Sequence, residues 1–152
     1  MDARCHIREA TAADVPGIAA LERICFPDPW TPGSLREALA SAGTFGLVAE
    51  WGGGVGGYSL AREAGGSGEI LNLAVAPEHR RRGLGRALLE EALTILGGQG
   101  CGSVFLEVRE SNAAARELYE RRGFRVVGVR RGYYRSPAED GMVLRLDLPT
   151  SE

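Results

Sequence analysis

The chain has 152 residues, of which 44% are hydrophobic and 25% charged, and its formal net charge is −2. These values are typical of a soluble globular domain with a sizeable core, and they exclude a whole-molecule positive field that would attract nucleic acid. The apolar runs are interrupted by glycine or charge too often to span a membrane.

The order of the predicted elements indicates an α/β protein. Apolar or alternating runs bounded by glycine turns predict strands, and apolar residues at helical spacing predict helices. A helix between two strands implies that those strands are parallel, so we expect a mixed sheet. In chain order the elements are a strand at 5–9, a helix that follows a Thr11/Asp14 capping box, a helix at about 32–41, strands within 43–51, 52–63 and 68–75, a helix at 82–96, a strand at 103–110, a helix capped by Ser111 or Asn112, and strands at 124–135 and 141–148.

The ends of the chain and its cysteines narrow the setting. We expect residues 1–148 to form one domain and residues 149–152 a loose tail. The N-terminus, MDARCHIREA, has charges where a signal peptide needs an apolar core, so a cytoplasmic location is expected. The three cysteines, Cys5, Cys25 and Cys101, form no Cys-x-x-Cys pair, which argues against a disulfide framework or a zinc site.

Two features of the sequence leave alternatives open. A cysteine nucleophile activated by His6 or His79 competes with inert buried thiols, although His6 and Cys5 would point to opposite faces of a strand. The turn FPDPW displays Phe26 and Trp30, and aromatic residues in such a turn either pack in the core or line a substrate slot.

The loop RRRGLGR (80–86) leads directly into a helix and is predicted to bind an anion. A helix N-terminus offers free backbone N–H groups, and glycines let a ligand approach the backbone closely. Arginines at 80, 81, 82 and 86 add charge that suits a phosphate or a pyrophosphate. A solvated basic cap on an ordinary helix is the alternative.

The loop matches neither of the two commonest phosphate motifs. A P-loop needs Gly-Lys-Ser/Thr, and the chain contains no lysine. A dinucleotide fingerprint needs a third glycine where this chain has Leu88. What remains is Arg-x-x-Gly-x-Gly after the apolar strand EILNLAVAP (69–77).

This loop belongs to a set of four motifs that are spread over most of the chain: NLAVAPEHRRRGLGRALL, LEVRESNAAARELYERRGF, RRGYY and FPDPW. Together they resemble the bacterial RimI branch of the GNAT family of N-acetyltransferases. The resemblance implies a seven-stranded, mostly antiparallel mixed sheet with a splayed central parallel pair and about four helices. It also implies acetyl-CoA as the acetyl donor, no metal, and the N-terminal alanine of ribosomal protein S18 or other protein N-termini as the acceptor.

The resemblance also implies roles for individual residues. Glu107 would be the general base and Tyr119 the general acid, with direct transfer in a ternary complex. Acetyl-CoA would be bound by Leu73, Ala74, Val75, Arg81, Arg82, Gly83, Leu84, Gly85, Arg86 and Asn112, with the Val75 amide on the thioester carbonyl. The peptide slot would be formed by Phe26, Trp30, Tyr133 and Tyr134.

The chemistry of acetyl transfer independently suits a carboxylate and a phenol. An α-amine with a pKa of about 8 must lose a proton before it attacks a thioester, and a carboxylate can accept that proton. A phenol with a pKa of about 10 can return a proton to the leaving thiolate. The alternatives are an exposed Glu107–Arg109 pair on one strand face, and a core tyrosine at 119.

The sequence departs from the family pattern at two places and leaves other functions open. Arg80 stands where Gln is common, and Asp28-Pro29 lengthens the aromatic turn relative to a shorter Phe-Pro-Trp form. The competing functions are acetylation of lysine side chains or small-molecule amines, a non-catalytic acyl-CoA-binding module, and nucleic-acid binding through the arginine clusters.

Overall fold

One seven-stranded sheet organises residues 5–149, which are the residues described by this computed structural model. The strand order is β1-β2-β3-β4-β5-β7-β6, as the predicted mixed sheet requires. The strands are β1 (Cys5–Glu9), β2 (Thr44–Trp51), β3 (Gly54–Ala64), β4 (Ser67–Val75), β5 (Ser103–Arg109), β6 (Arg125–Arg135) and β7 (Ala138–Asp147). The α-helices of this part of the chain are α1 (Val15–Cys25), α2 (Pro32–Ala40), α3 (Leu84–Gly98) and α4 (Ala113–Arg122).

The only parallel pair among these strands, β4 and β5, separates along its length. The two strands pair from Ser67 opposite Ser103 to Ile70 opposite Leu106, and the pairing ends there. The rest of β4 continues on β3, and the rest of β5 continues on β7. The predicted central parallel pair is therefore confirmed, and the sheet is open between its carboxyl ends.

Helices α3 and α4 cover one face of the sheet. The buried residues of α3, among them Leu84, Leu88 and Leu96, pack against the alternate residues of β5 that point to this face. Tyr119 and Phe124 extend the same cluster from α4 and the residues after it. This packing holds the N-terminus of α3 at the open end of the β4–β5 pair.

Helices α1 and α2 form a second core on the other side of the sheet. Val15, Ile18 and Leu21 of α1 and Leu35 of α2 pack with Tyr58, all of them buried. Within residues 5–149, no helix is both long enough and apolar enough to cross a membrane.

Local capping explains where α1 begins. The predicted capping box is confirmed: the Thr11 hydroxyl accepts a hydrogen bond from Ala13 N–H (3.3 Å), and the Asp14 carboxylate accepts one from Thr11 N–H (2.8 Å). The box closes a short 3-10 turn at Ala12–Asp14, after which α1 starts.

The predicted element boundaries differ from the observed ones by only a few residues. Helix α3 begins two residues later than predicted because Gly83 is left-handed (φ 78°). Strand β7 begins three residues earlier, because Ala138 pairs with Arg135 across the hairpin. The predicted tail at 149–152 lies, after residue 149, outside the described residues.

Candidate active site

A cleft of about 260 Å³ opens where β4 and β5 separate. Its walls come from these strands, from the turn between α1 and α2, from α4 and from β6. It brings together eight residues that the sequence assigned to the site: Phe26, Trp30, Leu73, Glu107, Asn112, Tyr119, Tyr133 and Tyr134. Residues that are distant in sequence and were predicted for three different roles thus share one cavity.

The backbone of β4 offers hydrogen-bonding groups to this opening. Ala76 N–H donates to the Gly56 carbonyl (2.8 Å), so this opposed pair is hydrogen-bonded. Alternate residues of an antiparallel ladder point their N–H and C=O groups to opposite sides. Val75, which lies opposite Gly57, and Leu73 therefore direct these groups away from β3. The Leu73 N–H donates to Asn72 Oδ1 (3.0 Å) and the Val75 carbonyl accepts from Arg80, so the Val75 N–H and the Leu73 carbonyl are the groups offered to the opening.

Ala74 differs from its two neighbours on β4. It lies opposite Tyr58 in the ladder, so its N–H and C=O groups point to β3, and its side chain is buried. Of the three β4 residues predicted to bind acetyl-CoA, Leu73 and Val75 direct backbone groups away from β3, and Leu73 lines the cleft, whereas the backbone groups of Ala74 point to β3.

The predicted anion loop ends at an uncapped helix. Gly83 is the N-cap of α3, and within the described residues no side chain caps the first turn. The N–H groups of Leu84, Gly85 and Arg86 therefore have no acceptor within the helix. A Cβ built on Gly85 would lie 3.5 Å from Leu118 and 3.6 Å from Val75, so this glycine faces the gap between α4 and β4.

The arginines of the loop point in different directions. Arg80 turns back from the loop, and its Nε donates to the Val75 carbonyl (3.1 Å). Arg82 lies over the Trp51 ring (5.2 Å), which is stacked on His79. Arg86 lines a groove between α3 and α4 together with Arg121 and Arg122. Arg121 pairs with Glu117 (2.7 Å) and Arg122 with Glu90, so this groove carries both signs of charge.

Only one of the two oxygens of the Glu107 carboxylate has a partner among the described residues. Its Oε1 pairs with Arg130 Nε (3.1 Å), while Oε2 is buried without a hydrogen-bond partner among residues 5–149. The neighbouring Glu107 carboxylate and, to a smaller extent, burial raise the pKa of the Tyr133 hydroxyl. The alternative pair with Arg109 does not form, because Arg109 contacts Asp28 and Glu139 instead.

Tyr119 reaches the cleft from the face of the sheet that α3 and α4 cover. Its ring packs edge-on against Phe124, with centroids 5.7 Å apart, and burial raises the pKa of its hydroxyl. Glu107 alternates with Leu106 and Val108, which belong to the same core as Tyr119, so Glu107 emerges on the other face of β5. Both side chains line one cleft because the sheet is open at this point.

The remaining predicted residues form the walls. Tyr133 and Tyr134 pack edge-on with ring centroids 5.0 Å apart. Burial, with a smaller contribution from Glu107, raises the pKa of Tyr134 to about 12. Asn112 caps α4 through its Oδ1, which accepts a hydrogen bond from Ala115 N–H (3.2 Å). Its Nδ2 remains as a second donor for the cleft.

Sequence reasoning missed four polar residues that organise the cleft: Glu22, Asp28, Asn72 and Arg109. Glu22 had a readable signal, because it occupies an apolar position in the helical pattern of α1, four residues after Ile18, and is fully buried. The others had none, since each acts through contacts with distant segments.

The structure does not support the alternative that Cys25 is a nucleophile. Its thiol lies 3.6 Å from an Arg80 nitrogen and 3.7 Å from the Val75 carbonyl oxygen, and burial raises its pKa. His79 stacks on Trp51, and His6 pairs with Glu50. Neither histidine is placed to activate this thiol.

Comparisons with known proteins identify relatives of this chain. The model of the acetyltransferase (GNAT) family matches residues 15–124. The chain is 39% identical over 143 residues to N-alpha-acetyltransferase RimI of Mycobacterium tuberculosis, covering 90% of this chain and 89% of that protein. The structure of the ribosomal-protein-S18-alanine N-acetyltransferase from Escherichia coli matches with a TM-score of 0.89 and 29% identity, covering 97% of this chain and 96% of the other. Arabidopsis thaliana NAA60 in complex with acetyl-CoA has the same fold, with a TM-score of 0.83, 20% identity and coverage of 95% and 98%.

Proposed function

The chain belongs to the GNAT family of acetyltransferases, and from that premise we propose that it acetylates the N-terminal α-amine of proteins. Ribosomal protein S18, with an N-terminal alanine, is the first candidate acceptor, because the relatives named above are an N-alpha-acetyltransferase and an S18-alanine N-acetyltransferase. A ribosomal acceptor would place the reaction in the cytoplasm.

The proposed donor site uses the free backbone groups of β4 and α3. Acetyl-CoA supplies the acetyl group as a thioester. Its pyrophosphate fits the uncapped amides of the first turn of α3, where the helix end also favours negative charge. The N–H of Val75, directed away from β3, is placed to donate to the thioester carbonyl oxygen, and the Leu73 carbonyl to accept a hydrogen bond from the pantetheine arm.

One observation carries the proposal for the chemistry: Glu107 lines the cleft, and its Oε2 is buried without a hydrogen-bond partner among residues 5–149. A buried carboxylate oxygen without a donor is costly, and an ammonium group is the donor that would relieve that cost. A cationic amine that enters the cleft can therefore pass its proton to Glu107, directly or through water, and become nucleophilic.

Tyr119 is proposed to return a proton to the leaving thiolate. Burial raises the pKa of its hydroxyl, so the phenol keeps its proton throughout the neutral range. A thiol has a pKa of about 8.5, so the thiolate needs this proton when the C–S bond breaks. Base and acid thus enter the cleft from opposite faces of β5.

The walls of the cleft fit a cationic peptide end. Three carboxylates, those of Asp28, Glu69 and Glu107, line it. Each pairs with an arginine, respectively Arg109, Arg62 and Arg130, and only Arg109 belongs to the lining within the described residues. The rings of Phe26, Trp30, Tyr133 and Tyr134 supply apolar walls for the first side chains of the acceptor.

The test compares two matched peptides with purified protein and acetyl-CoA. One begins with a free alanine and lacks lysine; the other has a blocked N-terminus and one internal lysine. Mass spectrometry is expected to show acetylation of the first peptide only. Transfer only to the second peptide would contradict the N-terminal assignment. Acetyl-CoA binding without transfer to either peptide, and unaltered by Glu107→Gln, would indicate a non-catalytic binding module.

A further inference from the structure

Glu22 is a fully buried carboxylate that three uncharged donors hold in place. Trp30 N–H donates to its Oε1 (2.9 Å), and Asn72 Nδ2 donates to its Oε2 (2.8 Å). The Tyr58 hydroxyl also donates to Oε2. Burial raises the pKa of this carboxyl group, against the hydrogen bonds from Tyr58 and Trp30. Such a costly group is retained where it fixes a specific arrangement.

The three donors come from three different parts of the cleft region. Trp30 ends the aromatic turn and lines the cleft, and Tyr58 lies on β3 in the core under α1. Asn72 lies on β4 two residues after Ile70, the last residue of β4 that pairs with β5. Asn72 also accepts, through its Oδ1, a hydrogen bond from Leu73 N–H (3.0 Å). Glu22 therefore connects one wall of the cleft to the strand that opens it.

We propose that Glu22 is a positioning residue for the acceptor: it fixes Trp30 and the aromatic turn at a set distance from β4 and so determines the width of the peptide slot. Glu22 does not line the cleft and so acts through Trp30 and Asn72. This inference rests on the proposed function, because it assigns Trp30 to the acceptor side.

The arrangement requires a carboxylate at position 22. Two acceptor oxygens serve three donors, and Oε1 alone holds the backbone N–H of Trp30. A glutamine has one acceptor oxygen and an NH₂ group, so in either orientation its NH₂ group would face either Trp30 N–H or Asn72 Nδ2. One of these contacts must break, and the turn loses its fixed distance from β4.

The steady-state test uses an exchange of functional groups between positions 22 and 72. Glu22→Gln is expected to raise the KM for the alanine peptide about tenfold, while the Kd for acetyl-CoA changes less than about twofold. Asn72→Asp alone is expected to be at least as harmful, because it places two carboxylates together. In the double variant, Glu22→Gln with Asn72→Asp, the amide at position 22 donates to the carboxylate at position 72, and its oxygen accepts from Trp30 N–H. We expect this variant to recover most of the acceptor KM.

Hydrogen exchange provides a readout that does not depend on turnover. The Trp30 amide is expected to exchange about tenfold or more faster in Glu22→Gln than in wild type, and to return towards the wild-type rate in the double variant. Glu37→Gln, an exposed change on α2, serves as the control for both measurements.

The two measurements separate failure of this inference from failure of the proposed function. An unchanged Trp30 exchange rate in Glu22→Gln, or a double variant no better than either single variant, would overturn the positioning role. If the wild-type protein does not acetylate the alanine peptide, but the Trp30 exchange rates of the variants follow the expected pattern, the N-terminal acceptor is contradicted. The positioning of the turn by Glu22 would still be supported.

Discussion

The proposed donor side and the proposed acceptor side of the cleft differ in the groups that they offer to a ligand. The donor side is one nearly continuous stretch, residues 73–86, and it offers mainly backbone N–H groups at the end of β4 and at the uncapped start of α3. The acceptor side uses side chains from the aromatic turn, the end of β5 and the β6–β7 hairpin. Donor binding should therefore depend on backbone conformation and close approach, and acceptor binding on charged and aromatic side chains.

The two sides also differ in charge. Arg82 and Arg86 lie near the first turn of α3, where the helix end already favours anions. The acceptor side presents the carboxylates of Asp28, Glu69 and Glu107. Under the proposed function we therefore expect the pyrophosphate to bind at the start of α3 and the cationic amine to bind beside these carboxylates.

The strongest test of this comparison is Glu107→Gln, at the point where the two sides meet. We expect kcat to fall about a hundredfold or more, because the amine loses its proton acceptor, with little change in the Kd for acetyl-CoA. The defect should shrink as the pH rises above the amine pKa of about 8, since the amine then arrives already neutral. Steady-state kinetics between pH 6 and pH 10 measure both effects.

An exposed glutamate on α3 provides the control for that prediction. Glu91→Gln makes the same chemical change outside the cleft and should leave kcat and its pH dependence unaltered. If Glu107→Gln lost activity by the same factor at every pH, Glu107 would have a structural role and the amine would lose its proton elsewhere.

Tyr119→Phe tests the other partner in proton transfer. We expect kcat to fall about a hundredfold or somewhat less while both substrates still bind, because the change removes only the hydroxyl and keeps the packing against Phe124. Because burial raises the pKa of Tyr119, the wild-type rate should show no loss from its ionisation below about pH 10. A wild-type rate that falls near pH 8 to 9 with the tyrosine present, and not in Tyr119→Phe, would contradict the raised pKa.

The contrast between the two sides also explains what the sequence could predict. The donor side follows from local patterns: a strand, an Arg-x-x-Gly-x-Gly loop and a helix start lie within about twenty residues, so the uncapped helix end could be predicted from spacing alone. The alternating pattern of β5 and the apolar face of α3 likewise predicted the parallel pair, which is confirmed.

The acceptor side could not be derived from local patterns. Its aromatic residues and Glu107 were assigned through family resemblance, and their catalytic and binding roles remain predictions. The connecting side chain, Arg109, contacts Asp28 and Ser136, which are remote in sequence, and no local pattern encodes such a contact. Even within the donor loop, the direction of Arg80 was unpredictable, because it depends on the Val75 carbonyl being free of the ladder.

Gly85 tests the claim that donor binding depends on close approach. A Cβ at this position would be in ordinary contact with Leu118 and Val75, so Gly85→Ala should fold and, at a helical site, gain roughly 0.5–1 kcal/mol of stability. The added methyl group would nevertheless occupy the gap through which the donor passes. We expect the Kd for acetyl-CoA to rise about tenfold in Gly85→Ala and about thirtyfold in Gly85→Val.

Thermal unfolding and equilibrium dialysis of the same Gly85 variants check both parts of this prediction. Gly83→Ala is the contrasting control for stability. The φ of 78° at this position is unfavourable for a residue with a side chain, so Gly83→Ala should lose about 1–2 kcal/mol of stability although the space around a Cβ is open. A Gly85→Ala variant that is more stable and binds acetyl-CoA as well as wild type would show that the donor does not pass this glycine.

Arg109→Lys is expected to have the smallest effect and to act on the acceptor side alone. The largely buried guanidinium contacts Asp28 (3.2 Å) and Glu139 (3.2 Å), donates to the carbonyls of Ser136 (3.1 Å) and Pro137 (2.8 Å), and so joins the aromatic turn to the hairpin. A lysine keeps the charge but cannot reproduce this fork. We therefore expect the KM for the alanine peptide to rise about five- to tenfold, with the Kd for acetyl-CoA and the Gly85 effects unchanged. Arg135→Lys, at an exposed position of the same hairpin, should change neither value. A loss of acetyl-CoA affinity in Arg109→Lys would mean that the two sides are mechanically coupled. The coupling could pass through β5 or through α4, because Asn112, the N-cap of α4, donates its N–H to the Arg109 carbonyl (3.0 Å).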